Sequence, residues 1–175
     1  MTRRDDKGIS SLGELLAHAH AIETDAVERY HMLADQMDVH NNKELARIFR
    51  ELAGHEEKHA AEILAQAGDV DLPALKPSEF KWPGIESPEA AELDQAHYRM
   101  TPWHALRMAL AAEQRAFAFF DHMVETAGEP EVKKWAEEFR EEEAEHVELV
   151  NRLLEKHPEP ETGWQDDPDP PANQE

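Results

Sequence analysis

The stretches Glu56-Glu57-Lys58-His59 and Glu143-Ala144-Glu145-His146 repeat one pattern, a glutamate followed three residues later by a histidine. Residues three apart share a face of an α-helix, and both pairs fall where the surrounding periodicity requires apolar core residues. Two further segments carry a single glutamate in the same kind of position, Glu23 and Glu113. Because a carboxylate that is buried without a partner costs several kcal/mol, this pattern predicts cations held inside the fold.

Proline and hydrophobic periodicity divide the chain into four helical segments. Proline is excluded from helix interiors, and none occurs before Pro73. Apolar residues recur at steps of three and four, which predicts helices over about 11–37 and 42–67. A third is predicted from 101 to just before Gly128, and a fourth from about 130 through 153. No segment shows sustained period-two alternation, so the predicted fold class is all-α.

The connections between these segments predict the topology. Short turns at 38–41 and 127–129 predict two antiparallel helical hairpins of similar design. Residues 68–100 are far longer than a turn requires and predict a long crossover connection, with a short helix expected near 88–96. The resulting organisation is an N-terminal arm over 1–10, a four-helix bundle over 11–155, and a tail over 156–175. The tail is rich in proline and acidic residues, which predicts disorder.

Composition excludes several function classes. The chain has 175 residues and a formal net charge of −21, which argues against nucleic acid or an anionic membrane as partner. It contains no cysteine, which rules out disulfides, zinc–thiolate sites and iron–sulfur clusters on this chain. No apolar run reaches the roughly 20 residues of a membrane span, and no secretory signal is visible. We therefore expect a cytoplasmic protein.

The ligand chemistry of the repeated pattern suits two metal ions. Carboxylate oxygen together with imidazole nitrogen suits iron, manganese or zinc. Four glutamates carry a charge that two divalent cations would neutralise. Di-iron carboxylate bundles place one glutamate on each of two helices and a Glu-x-x-His pair on each of the other two, which is the distribution predicted for this chain.

The motifs resemble those of the rubrerythrins, members of the ferritin-like di-iron carboxylate superfamily, over about residues 11–155. The segment from Glu23 to Tyr30 fits Glu-x-x-Ala-x-x-Arg-Tyr, and Glu113-Gln114-Arg115-Ala116 echoes its start. The resemblance implies a ferritin-like antiparallel four-helix bundle that binds two iron ions. It also implies a role for each motif residue: Glu56 and Glu143 as bridging carboxylates, Glu23 and Glu113 as terminal ligands, His59 and His146 as one imidazole per metal, and Tyr30 as a neighbour of the cluster.

The same resemblance implies an activity and partners. It implies a non-haem di-iron oxidoreductase that reacts with hydrogen peroxide or dioxygen in defence against oxidative stress, as a homodimer. Rubrerythrins proper carry a four-cysteine rubredoxin domain, which is absent here, so an external electron donor such as a rubredoxin-like protein is expected. They also carry a second glutamate on the third helix, where this chain has Ala116, and this difference puts their peroxidase cycle in doubt.

Several alternatives remain open at the level of sequence. The ligand set also fits a ferroxidase that handles iron as ferritins do, a dimanganese catalase-like enzyme, or metals that only hold the bundle together. His55-Glu56-Glu57-Lys58-His59 additionally fits the His-Glu-x-x-His motif of zinc peptidases, although that interpretation leaves the other core glutamates unexplained. Tyr30 is equally well a core tyrosine, and His18 and His20 are expected near the edges of the first helix.

Overall fold

The computed structural model describes residues 9–82, 88 and 100–161. Its four helices are α1 (Leu12–Val39), α2 (Lys43–Ala67), α3 (Pro102–Thr126) and α4 (Pro130–Leu154), with a single 3-10 turn at Pro77–Glu79 in the described part of the crossover. No strand occurs within these described ranges. The all-α prediction is therefore confirmed, and the helix ends lie within about two residues of those that periodicity predicts.

Local signals set the helix boundaries. The Ser11 hydroxyl accepts a hydrogen bond from the Glu14 amide at 3.2 Å and caps α1, and the Asn42 side chain accepts one from the Leu45 amide at 3.3 Å and caps α2. Asn41 between them has a φ of 57°, in the left-handed region that asparagine tolerates better than most residues. α3 and α4 each begin with proline in the first turn, where its missing N–H costs nothing.

The helices pack as two hairpins, α1 with α2 and α3 with α4. The turns that join them, residues 40–42 and 127–129, are too short to allow anything but antiparallel neighbours. The Asn42 side-chain amide also donates to the Met100 carbonyl at 2.9 Å, which ties the first turn to the chain entering α3. This arrangement confirms a four-helix bundle built from two hairpins.

Two apolar clusters fill the bundle, one toward each end. The first lies beside the α1–α2 turn and contains Tyr30 and Phe49; the second lies at the opposite end and contains Leu16 and Phe120. All four helices contribute to both clusters. A layer of buried polar side chains separates them, and it falls midway along each helix.

A segment of the crossover, residues 70–82, runs along the start of α1 and is called the strap below. It adds apolar side chains to the second cluster. A Cβ atom on Gly13 would lie 2.3 Å from the Asp71 carbonyl oxygen, so only glycine lets the strap approach α1 this closely. The strap's apolar contributors are Val70, Leu72, Phe80 and Trp82.

Some predicted segments lie outside the described residues: most of the arm over 1–10, the short helix expected near 88–96 apart from Pro88, and the tail beyond 161. Within the described ranges, no helix is both long enough and apolar enough to cross a membrane.

Candidate metal centre

One glutamate from each helix lies in the polar layer between the two apolar clusters. All four side chains are almost completely buried, although glutamate is among the residues least often buried. Their exposed fractions are 2% for Glu23 on α1, 1% for Glu56 on α2, 1% for Glu113 on α3 and 1% for Glu143 on α4. The periodicity that placed them on the inner face of each helix is thus followed in the fold.

His146 lies at the middle of these carboxylates. Its Nδ1 atom is 3.2 Å from Glu113 Oε2, 3.6 Å from Glu143 Oε2 and 4.0 Å from Glu56 Oε2. Glu56, Glu113 and His146 offer ligand atoms that all lie within 4.8 Å of one another. Such a buried Glu, Glu and His group indicates a metal site.

His59 occupies a different environment from its counterpart in the repeat. Its Nε2 atom faces His146 Nε2 at 3.3 Å, while its Nδ1 atom lies 3.8 Å from Glu142 Oε2 on α4. The side chain keeps 18% of its surface exposed. His59 therefore touches the buried group through His146 and reaches the edge of the bundle on its other side.

Burying these four carboxylates close together in charged form costs free energy. Burial raises the pKa of Glu23 well above its ordinary value, and the neighbouring Glu143 and Glu56 carboxyls raise it further. Burial likewise raises the pKa of Glu143, helped by Glu113. One oxygen of Glu23 and one of Glu143, the Oε2 atom in each case, have no hydrogen-bond partner. A cation would compensate both the clustered charge and these unsatisfied acceptors, so the residues present fit a bound metal.

The two histidines differ in charge state. Burial lowers the pKa of His59 to about 4, and repulsion from His146 adds to this effect. Burial also disfavours charged His146, but its contact with Glu113 and the nearby Glu56 and Glu143 outweigh burial and raise its pKa to about 9. In the metal-free protein, protonated His146 therefore supplies a positive charge among the carboxylates.

The remaining sequence candidates fall in varied places. Tyr30 is completely buried and stacks on Phe49 with 6.0 Å between ring centroids, so it belongs to the first apolar cluster. His55 is exposed and does not join His59 on the inner face of α2. The buried carboxylates fall on all four helices, whereas a His-Glu-x-x-His zinc site would use both histidines of one helix.

Two residues lie in surroundings that the spacing within their own helices does not predict. His18 was expected near an edge of α1 but is completely buried, because the strap covers that face of the helix. Glu142, which lies outside the repeated pattern, is half-buried beside His59. Periodicity within a single helix does not report what another segment lays over it, so neither placement had a signal in the local pattern.

An all-α bundle whose interior carries one carboxylate from each helix is typical of the ferritin-like di-iron carboxylate proteins. A family comparison is specific: the Rubrerythrin family matches residues 14–154, and the chain belongs to that family. The crystal structure of an uncharacterized conserved protein from Magnetospirillum magnetotacticum MS-1 is similar, at 39% sequence identity and a TM-score of 0.67. That match covers 86% of this chain and 98% of the other. No curated protein gave a significant match.

Proposed function

We propose that the protein is a rubrerythrin-type non-haem di-iron oxidoreductase that reduces hydrogen peroxide or dioxygen with electrons from an external donor. The observation that carries this proposal is the burial of four glutamates, one per helix, in a layer that also contains His146. Membership of the Rubrerythrin family supports the choice of iron over other divalent metals.

The six residues of the repeated pattern are proposed as the metal ligands. Each hairpin would contribute a terminal carboxylate, a bridging carboxylate and one imidazole, which together balance the charge of two divalent ions. The assignment is Glu23 and Glu113 as terminal ligands, Glu56 and Glu143 as bridging ligands, and His59 and His146 as the imidazoles.

The bound irons would supply electrons to an oxidant that reaches the centre. The protein's part is to hold the ligands in a water-poor layer, since the apolar clusters on either side exclude solvent and strengthen electrostatic interactions there. Proton supply is assigned to the chain's own groups. Tyr30, seven residues after Glu23 on α1, is proposed as a proton donor beside the centre.

The partners follow from the chemistry of this chain. The sequence has no cysteine, so it has no thiolate-bound iron with which to feed electrons to the site. We propose a separate donor, such as a rubredoxin-like protein, and a homodimer in the cytoplasm as the working form. A storage protein would instead need a cage of many subunits, which solution size measurements distinguish.

The test begins with anaerobic purification and elemental analysis of the wild-type chain. The proposal expects iron, and it expects the reduced protein to be oxidised faster by hydrogen peroxide than by dioxygen in stopped-flow absorbance. Glu143→Gln should abolish this reaction, while Glu145→Gln, an exposed change two residues away, should leave it intact.

Other outcomes of the same experiment would replace the proposal. Manganese with release of dioxygen from peroxide would indicate a catalase-like enzyme. Catalytic oxidation of added Fe(II) by a large assembly that retains the product would indicate iron storage. Zinc that His55→Ala removes, together with a peptidase activity, would favour the His-Glu-x-x-His interpretation.

A further inference from the structure

His18 is a completely buried histidine that the proposed metal chemistry does not use. Both of its ring nitrogens are engaged by the backbone. The Lys81 amide donates to Nε2 at 2.9 Å, and Nδ1 lies 2.7 Å from the Glu14 carbonyl oxygen, to which it donates. Since Nε2 accepts a hydrogen bond, only the neutral ring with its proton on Nδ1 satisfies both contacts.

These contacts join α1 to the strap, residues 70–82. Aromatic side chains enclose the His18 ring: Phe80 and Trp82 of the strap meet it edge-on, with centroids at 5.2 and 5.9 Å, and Phe119 of α3 stacks at 6.2 Å. An ion pair between Glu14 and Lys81 and the close approach of Asp71 to Gly13 join the same two segments. Among these contacts, the hydrogen bond from the Lys81 backbone amide to His18 Nε2 is the one that requires an uncharged imidazole.

Among the described residues, the charged groups that face His18 are Glu14 on its own helix and Lys81 on the strap, while α3 presents the apolar ring of Phe119. Burial is the largest influence and lowers the pKa of His18; Lys81 acts in the same direction, and Glu14 opposes both. The ring therefore stays neutral while the strap is in place at neutral pH. Once the strap separates, the exposed ring regains an ordinary affinity for protons.

We propose that His18 is an acid-sensitive latch between the strap and α1. A proton added at Nε2 would make this atom a hydrogen-bond donor that faces the Lys81 N–H donor, so the contact would be lost and the strap would separate from α1. Release would withdraw Phe80 and Trp82 from the second apolar cluster and expose that end of the bundle. The latch is independent of the proposed metal chemistry, because His18 and the strap lie at the bundle end rather than in the polar layer.

Hydrogen exchange of the full-length wild-type protein, followed by mass spectrometry from neutral pH to about pH 5, tests the latch. After correction for the intrinsic pH dependence of exchange, strap opening should increase by up to about tenfold per pH unit, because one proton is linked to opening. His18→Gln keeps a terminal oxygen that can accept from Lys81 but cannot titrate, so its strap should lose this acid dependence. His20→Gln, a partly exposed change on the same helix, should behave as wild type.

Exchange in peptides from α2 and α4 separates the latch from the metal site. Opening confined to the strap supports the proposal, whereas acid opening of the strap only together with α2 and α4 overturns it. Strap opening that persists unchanged in His18→Gln also overturns it.

If His18→Gln does not fold, the wild-type protein still gives the answer by NMR. The 15N shifts of the His18 ring should show the Nδ1–H tautomer at neutral pH, and protonation of Nε2 should accompany loss of Lys81 amide protection. Protonation of His18 with the Lys81 amide still protected would contradict the latch.

Discussion

The two hairpins carry the same ligand pattern yet place their histidines in different surroundings. In the α3–α4 hairpin, His146 is 8% exposed and lies among three carboxylates. In the α1–α2 hairpin, His59 is partly exposed and faces Glu142 of the other hairpin. A sequence repeat thus fixes backbone register on each helix, while the surroundings of each imidazole depend on what the opposite hairpin presents.

The two hairpins also differ at the residue just before each proposed bridging ligand, Glu56 or Glu143. Glu56 follows His55, which is exposed, whereas Glu143 follows Glu142, which is half-buried beside His59. The His59 side of the layer therefore has an additional carboxylate at its solvent edge. Each prediction below tests whether the two halves act as one site and how far they differ.

Metal removal should have the largest effect, because both halves are proposed to hold the same cations. At a metal concentration about 1,000-fold above Kd, binding contributes about 4 kcal/mol to the free energy of unfolding, so chelation should lower Tm by about 10 °C. Calorimetry with and without chelator, followed by restoration with Fe(II), measures this. An unchanged Tm would remove the reason for burying the four glutamates.

Loss of a proposed bridging carboxylate should disable both halves. We expect Glu56→Gln and Glu143→Gln each to lose both metals, because each carboxylate would serve two ions. Elemental analysis measures the ratio of metal to protein, with the exposed Glu145→Gln as control. Retention of one metal in Glu143→Gln would mean that the hairpins bind independently.

The histidines should differ in their effect on metal binding. His146→Ala removes the imidazole that lies closest to the carboxylates, so we expect it to weaken binding at least about tenfold more than His59→Ala. Titration of metal-free protein with Co(II), followed by absorbance, gives both affinities. Equal losses would show that the asymmetry has no energetic consequence.

The pH dependence of the metal-free protein should have opposite signs for the two rings. The pKa of His146 is raised to about 9, so its contribution to stability is complete below its ordinary value of 6.5 and is lost as pH rises toward 9. The pKa of His59 is lowered to about 4, so its contribution is complete above 6.5 and is lost as pH falls toward 4. Urea unfolding of His146→Gln and His59→Gln against pH should flatten the alkaline and the acidic side, respectively.

His55→Ala should have the smallest effect. The side chain is exposed, and surface substitutions usually change stability by less than about 0.5 kcal/mol. Metal content and Tm should match wild type. Loss of metal in His55→Ala would show that His55 takes part in metal binding, which would contradict its placement outside the site.

Sequence periodicity predicts the helices, the two hairpins and the inward direction of the four glutamates, because each depends on spacing within one helix. Glu23 and Glu113 are readable as core positions for this reason. The contact of His59 with Glu142 depends on how one hairpin is rotated against the other, which no local spacing records. The burial of His18 depends on the strap, whose Lys81 lies 63 residues further along the chain.

The polar layer lies between the two apolar clusters, and every helix contributes residues to the layer and to both clusters. A small molecule approaching along the bundle axis would have to cross one cluster or the other. The His59 ring, beside Glu142 of α4, keeps contact with solvent at the side of the bundle, so we expect a small molecule to enter sideways past this ring. A bulkier side chain on the surface beside His59 should therefore obstruct the approach of a small molecule while leaving the interior unchanged.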